Sequence, residues 1–314
     1  MEIVILDALT LGDVDLSVFE RFGNVHIYEY TPKEKTSERI AQADIVITNK
    51  VIIGEEELKN AKKLKLICVA ATGYNNIDVA ATEKRGVVVA NVKDYSTESV
   101  AQYVFAHILS VFNKVCEYKR LVQEGQWATS KVFTILKYPI YELKGKNIGI
   151  IGYGHIGKRV AEIARSFQMN VLVAKVKGRT YNDNFRLPLE TVLQQSDILT
   201  IHTPLSPLTR DMITYSQLKM MKKSAIIVNA ARGGIINEYD LFKALKNGII
   251  SYAIVDVLSL EPPIEGNILF SAPNITITPH IAWTSEEARK KLIDGIVNNI
   301  EKFLNGEADK IKVK

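Results

Sequence analysis

Gly152, Gly154 and Gly157 stand in the run IGIIGYGHIGKRV, between an apolar stretch and a stretch of helical period. G-x-G-x-x-G in that setting is a dinucleotide-binding fingerprint. The first glycine makes the tight turn, the second lets the backbone approach a pyrophosphate, and the third lets the helix pack close to the strand. His155 and Ile156, between them, open a helix whose N-terminal amides and positive dipole end suit phosphate. A glycine-rich turn that binds nothing is the alternative reading of this segment alone. A nicotinamide dinucleotide carries the hydride chemistry itself, so the protein must hold a substrate oxygen and supply or remove one proton. In an open α/β sheet the groups for that work lie at the carboxyl ends of strands. Arg232 follows AIIVNAA and precedes Gly233-Gly234. It is either a surface strand-end arginine or a fork for a carboxylate and a carbonyl oxygen. Glu261 follows YAIVDVL in the loop LSLEPP, and His280 ends NITITP. A carboxylate beside an imidazole favours its protonated form and fixes its tautomer. His202, in TIHTPLS, is another strand-end histidine and the competitor for the proton-transfer role.

The elements that must position these residues alternate. EIVILDA, NVHIYEY, ADIVITN, LKLICVAA and GVVVANV read as strands, with VDLSVFERF, TSERIAQ, GEEELKNA and DVAATEKR as helices between them. A second series of six strands, NIGIIG, NVLVAK, ILTIHTP, AIIVNAA, YAIVDVL and NITITP, begins at Lys146. Alternation of this kind predicts α/β architecture with two doubly wound parallel sheets, the second of Rossmann type. One long helix is expected over 97–124, and an arm without clear period, carrying Trp127, Phe133 and Tyr138, over 125–144. Asn237 is an expected N-cap with Gly248 just past the end of that helix. The last helix spans about 285–305, with Thr284 and Glu287 at capping-box spacing. A single terminal helix cannot bury itself, so it is expected to pack back on the first unit and make that unit discontinuous.

Bulk composition narrows the classes. The chain has 314 residues, enough for about two domains, with 47% hydrophobic and 24% charged residues. The formal charge of +5 is scattered rather than blocked, which favours a solvated surface over nucleic-acid binding. Two cysteines in apolar patterns, Cys68 and Cys116, fit a reducing compartment and are expected as buried small hydrophobes. No run approaches the length of a membrane span, and MEIVILDAL reads as a first strand rather than a signal peptide. A cytoplasmic protein with no membrane, nucleic-acid or metal partner is expected.

The motifs together resemble the D-isomer-specific 2-hydroxyacid dehydrogenases. GYGHIG at 152–157, SDILTIHTPLSPLTR at 196–210, IVNAARGGIINE at 227–238, DVLSLEPP at 256–263 and TPHIAW at 278–283 carry the likeness, with VAATGYNNID at 69–78 in the first unit. The resemblance implies a flavodoxin-like substrate domain, 1–97 with 284–314, into which a Rossmann cofactor domain, 98–283, is inserted. An arm at about 98–145 would form a homodimer contact. Arg232 would bind the substrate's carboxylate and carbonyl. His280 would be the acid in ketoacid reduction and the base in hydroxyacid oxidation, with Glu261 paired to it. Backbone amides of Ala71, Thr72, Gly73 and Tyr74 would bind the carboxylate, with Trp283 also at the substrate. His155 and Ile156 would lie along the pyrophosphate, and Thr203, Ala230 and Asp256 along the nicotinamide half. His202, Pro204, Ala231, Arg232 and His280 would face the cofactor too. AATGYNNID, DYSTESVAQ and PHIAWTS look most like glycerate dehydrogenases, also called hydroxypyruvate reductases, acting on hydroxypyruvate or glyoxylate. A D-lactate dehydrogenase is the neighbouring reading. A nucleotide-sensing corepressor-like scaffold is a reading of another class.

One position departs from the pattern. NAD-binding units carry an acid about 20 residues past the fingerprint, on the ribose hydroxyls. Lys175 stands there, followed by Lys177 and Arg179, with no carboxylate over 171–180. The missing acid removes a repulsion and the bases attract a 2′-phosphate, so NADP(H) is expected to be accepted beside NAD(H).

Overall fold

Short β-branched runs between polar, helix-forming stretches leave strands that must be covered on both faces, the composition of parallel sheets. A computed structural model, describing residues 1–176 and 178–313, shows this arrangement in two units, Met1–Ser96 with Thr284–Lys314 and Thr97–Trp283.

The first unit runs β1 (Glu2–Ile5), β2 (Asn24–Ile27), α1 (Lys33–Ile40), β3 (Ile45–Thr48), α2 (Glu55–Leu58), β4 (Leu66–Val69), α3 (Val79–Lys84) and β5 (Val88–Asn91). Its strands are all parallel in the order β2-β1-β3-β4-β5, the flavodoxin-like winding. The central strands β3 and β4 are buried at every residue. VDLSVFERF forms a 3-10 turn over Ser17–Phe22, not an α-helix. Asp15 accepts from the Ser17 amide at 2.9 Å and its hydroxyl at 2.6 Å, opening a tight turn that buries only Phe19.

The second unit opens with α4 (Thr97–Asn113) and α5 (Val115–Gln123). The expected single helix is therefore two, broken at Lys114, which takes φ 55°. Asn113 donates its side-chain amide to the Leu109 carbonyl at 3.0 Å, competing with the backbone ladder where the helix stops. After the arm come β6 (Asn147–Ile151), α6 (His155–Ser166), β7 (Asn170–Ala174), β8 (Arg186–Leu187), α7 (Leu189–Gln195), β9 (Ile198–Ile201), α8 (Tyr215–Met220), β10 (Ile226–Asn229), α9 (Glu238–Lys246), β11 (Tyr252–Val255) and β12 (Ile275–Ile277). The sheet is parallel in the order β12-β11-β10-β9-β6-β7-β8, so the strand order reverses beside β6, as in a Rossmann fold. The two-residue edge strand β8 was too short to show a period in the sequence. Asn237 caps α9 by accepting from the Asp240 amide at 3.1 Å.

Helices cover both faces of this sheet. On one face Val100, Val104, Phe105 and Ile108 of α4 pack with Val160, Ala161 and Ala164 of α6 over Ile148 and Ile150. On the other, Leu193, Leu218, Leu241 and Leu245 close over Ile151, Leu199 and Ile227. Each such aliphatic side chain contributes about 1.5–3 kcal/mol by leaving water.

The chain returns to the first unit with α10 (Glu286–Leu304). Ser285, not Thr284, is its N-cap, accepting from the Ala288 amide at 3.2 Å. Leu292, Ile296 and Ile300 form its buried stripe. Gly295 lets it lie against β5's exit, since a Cβ there would be 2.5 Å from Val92 Cγ1. Asn299 donates to the Asn91 carbonyl at 3.0 Å, and the Val313 amide to Val89 at 2.9 Å. Cys68 is buried in β4, whereas Cys116, expected buried, is exposed on α5. It lies on the helix's polar side, and Leu121 is the residue that α5 buries. Among the described residues no helix is long and apolar enough to cross a membrane.

Candidate active site

Sequence-selected residues gather at the carboxyl ends of neighbouring strands in the second unit. β6 stops at Ile151, and Gly152 turns the chain at φ 95°, a conformation open to glycine. A Cβ on Gly152 would stand 2.4 Å from the His202 carbonyl oxygen, and one on Gly157 2.1 Å from the Gly152 oxygen. Both glycines are thus fixed by packing. Gly154 is different: a Cβ there would meet nothing within 4 Å. It is the exposed N-cap of α6, with no side chain capping the first turn and no acid in it. That open, positive helix end is a surface for an anion.

Two buried polar atoms lie just past β9, His202 Nδ1 and Thr203 Oγ1, and among the described residues neither has a partner. Buried polar atoms are normally satisfied, so this edge fits a ligand with hydrogen-bonding groups. His202 Nε2 is 2.9 Å from Thr200 Oγ1. Burial pushes the His202 imidazole down to about 3, which keeps it neutral at ordinary pH and disfavours it as a proton donor. Pro204 is exposed beside them, and Ala230 and Ala231 are half-buried past β10. Ile156 is half-buried on α6 and His155 exposed.

Arg232 is presented by a braced turn. Asn229, 2% exposed at the end of β10, donates to the Arg232 carbonyl at 2.9 Å and accepts from the Ala231 amide at 3.1 Å. Gly233 then passes so close to β11's exit that a Cβ would be 2.0 Å from the Leu258 oxygen. The guanidinium Nη1 donates to the Ala231 carbonyl at 2.7 Å, and among the described residues no carboxylate pairs with it.

Glu261 and His280 meet. Glu261 Oε2 lies 2.6 Å from His280 Nδ1, with side chains 33% and 24% exposed. Glu261 Oε1 accepts from the Leu258 amide at 2.7 Å, which orients the carboxylate. A carboxylate only accepts, so His280 Nδ1 carries a proton and Nε2 is the nitrogen where a proton can come and go. His280 takes φ 57°, left-handed, directly after β12 and Thr278-Pro279.

Asp256, 1% exposed past β11, ties that turn down. Its carboxylate accepts from the Ile281 and Ala282 amides, both at 2.8 Å, and from the Thr278 hydroxyl at 2.5 Å. Burial pushes the Asp256 carboxyl up, against these donors and the His280 charge. Trp283, half-buried, packs on the α4–α6 core.

At the far side of the fingerprint, Lys175 is exposed immediately past β7, and Arg179 is exposed in the following loop. Lys177 lies outside the described residues. Tyr153 of the fingerprint meets Phe185 at 5.5 Å between ring centres, and Arg186 lies over both rings.

In the first unit, residues 71–74 follow β4. Ala71 is 5% exposed, the Thr72 hydroxyl donates to the Val92 carbonyl at 3.0 Å, and Asn91 donates to the Thr72 carbonyl at 2.6 Å. Thr72 is exposed, Gly73 and Tyr74 half-buried. Sequence reasoning missed Thr278 and Tyr103, whose hydroxyl lies 2.6 Å from Thr278 Oγ1. Thr278, two positions before His280, was within reach of the motif; nothing in the pattern of α4 singles out Tyr103.

Comparison with known proteins agrees with this architecture. The model of the D-isomer specific 2-hydroxyacid dehydrogenase NAD binding domain matches residues 105–282. The chain is 41% identical to a glycerate dehydrogenase of Methylorubrum extorquens, covering 99% of this chain and 98% of that one. It is 40% identical to a hydroxypyruvate reductase of Blautia hydrogenotrophica, covering 98% of each. Among solved structures, an acyclic imino acid reductase in complex with NADPH and D-Arg superposes with a TM-score of 0.85, at 28% identity over 98% of both chains. A dinucleotide turn, a strand-end arginine and a histidine–carboxylate pair on one parallel sheet thus stand in a chain that belongs to the D-isomer-specific 2-hydroxyacid dehydrogenases.

Proposed function

We propose that this protein reduces hydroxypyruvate, and glyoxylate with it, to D-glycerate and glycolate, using a nicotinamide cofactor. The carrying observation is the 2.6 Å contact between His280 Nδ1 and Glu261 Oε2 at the carboxyl edge of the Rossmann sheet. The names of the two relatives support the substrate class. The hydride for the substrate's C2 would come from the bound nicotinamide in reduction and return to it in oxidation. The α6 N-terminus, Gly152, Gly154 and Gly157 would hold the pyrophosphate, with His155 and Ile156 beside it. Thr203, Ala230, Ala231, Pro204, His202 and Asp256 would line the nicotinamide half. Arg232 binds the carboxylate and polarises the keto oxygen. His280 Nε2 gives its proton to that oxygen in reduction and takes it back from the hydroxyl in oxidation, while Glu261 stabilises the cationic ring. Trp283 bounds the substrate.

Lys175 and Arg179 support acceptance of NADPH, since their side chains are exposed where an acid would repel a 2′-phosphate. The arm supports a homodimer: Phe133 and Leu136 are 89% and 86% exposed, and with Trp127 and Ile140 they make an apolar face that water covers poorly. A cytoplasmic location is in keeping with two unpaired cysteines.

Initial rates with hydroxypyruvate, glyoxylate and pyruvate, each with NADH and NADPH, test the reading. Hydroxypyruvate should give the highest kcat/KM, and NADPH a rate within tenfold of NADH. Faster pyruvate turnover would make the enzyme a D-lactate dehydrogenase. A tenfold or greater preference for NADH would remove the role given to Lys175.

A further inference from the structure

α4 reaches the His280 turn through a chain of hydroxyls. The Thr278 hydroxyl donates its one proton to Asp256 Oδ1, so the proton in the 2.6 Å contact with Tyr103 belongs to the tyrosine. Burial pushes the Tyr103 phenol up to about 12, which keeps it a donor over the working pH range. Beyond Thr278, Asp256 binds both residues that follow His280, and its own carbonyl accepts the His280 amide at 2.9 Å. His280, a residue with a Cβ in the left-handed region, depends on such bracing.

The groups facing Asp256 are Tyr103 and His107 from α4 and His280 from the turn after β12, with Glu261 on the far side of His280. The His107 ring lies 4.3 Å from that of Tyr103, and burial lowers its affinity for a proton against the attraction of Asp256. The hydroxyl chain and the two amides are therefore what offset the burial of the Asp256 carboxylate on its non-catalytic side.

We propose that Tyr103 is a positioning residue for His280, acting through Thr278 and Asp256 to keep that carboxylate charged and clamped on the turn. The proposal rests on the dehydrogenase reading above. Loss of a hydroxyl lets Asp256 take up a proton more readily. A carboxylate less charged or less firmly clamped on the turn attracts the imidazolium less, so reduction, which needs the protonated ring, fails at a lower pH.

The test uses Tyr103→Phe, Thr278→Val and Thr278→Ser in the full chain, after thermal unfolding has shown each to be folded. The expected result for Thr278→Val is a downward move of the alkaline fall in ketoacid reduction by about half a pH unit, roughly threefold in rate at a fixed pH on the limb. Tyr103→Phe should move it the same way by less, and Thr278→Ser should restore the wild-type profile. With labelled histidine, the chain's five imidazoles can be titrated by NMR without substrate, the His280 signal being assigned by its loss in His280→Asn. That signal should show the same downward move. Titrations of Tyr103→Phe and Thr278→Val that superimpose on wild type, or move upward, overturn the proposal. Absence of turnover on every 2-ketoacid would instead overturn the functional reading, leaving the NMR titration to decide the role of Tyr103.

Discussion

His280 and His202 are both strand-end histidines, and their surroundings separate them. His280 has a carboxylate at 2.6 Å and a side chain 24% exposed; His202 has a neutral ring and a buried Nδ1 with no partner among the described residues. Replacing His280 with alanine should lower turnover by about 10²–10⁴-fold, the scale of a lost acid–base group, with cofactor Kd changed by less than twofold in a fluorescence titration. His202 has a different signature. Its folded form resists protonation while the unfolded chain takes a proton at the ordinary imidazole value, so the unfolded state binds more protons below that value. Stability should fall as pH drops from about 6.5 toward the folded value near 3. In thermal unfolding scans across pH, His202→Gln should show a shallower acid loss, and an unchanged slope would contradict the assignment. Arg232, Glu261 and His280 could be picked out as candidates because each stands shortly past an apolar, strand-like run. The Tyr103–Thr278 contact was not, since the partners are 175 positions apart and only the fold joins them.

The glycines of the βα turn make separable predictions at the level of elements. Gly154→Ala should leave the melting temperature within about 2 °C, because its Cβ meets no protein atom, yet weaken NAD(P)H binding tenfold or more by standing over the helix end. Gly157→Ala should cost about 1–3 kcal/mol in denaturant unfolding, because its Cβ would press on the Gly152 oxygen at 2.1 Å. Equal effects of the two would contradict this division. Most elements were legible because burial on two faces leaves near-continuous apolar strands. Where reading failed, a local hydrogen bond decided: Asn113 against the α4 ladder, Asp15 at the 3-10 turn, and Ser285 in place of Thr284 as a cap. The apolar pattern of 97–124 continues through Lys114, so periodicity alone could not find the break.

For the whole molecule, sequence indicated two sheets and a split first unit, but the order of strands within each sheet had no local signal. It follows from which neighbours each buried strand can pair with. The exposed arm carries the prediction at this scale. Phe133→Asp with Leu136→Asp should shift the sedimenting species from dimer to monomer at micromolar concentration while leaving the melting of the Rossmann sheet in place. A wild-type monomer would contradict the dimer reading.

The first unit is completed by α10, whose Gly295 and Asn299 meet the exit of β5. During translation the two units therefore cannot mature in the order in which their strands emerge. The Rossmann sheet has all its strands once β12 has cleared the ribosome, whereas the earlier-made flavodoxin-like sheet must wait for α10 to cover β4 and β5. On a chain that ends before α10 and is tethered to the ribosome by a linker long enough to clear the exit tunnel, protease should already be resisted by the later-made domain and still cut the first-made one.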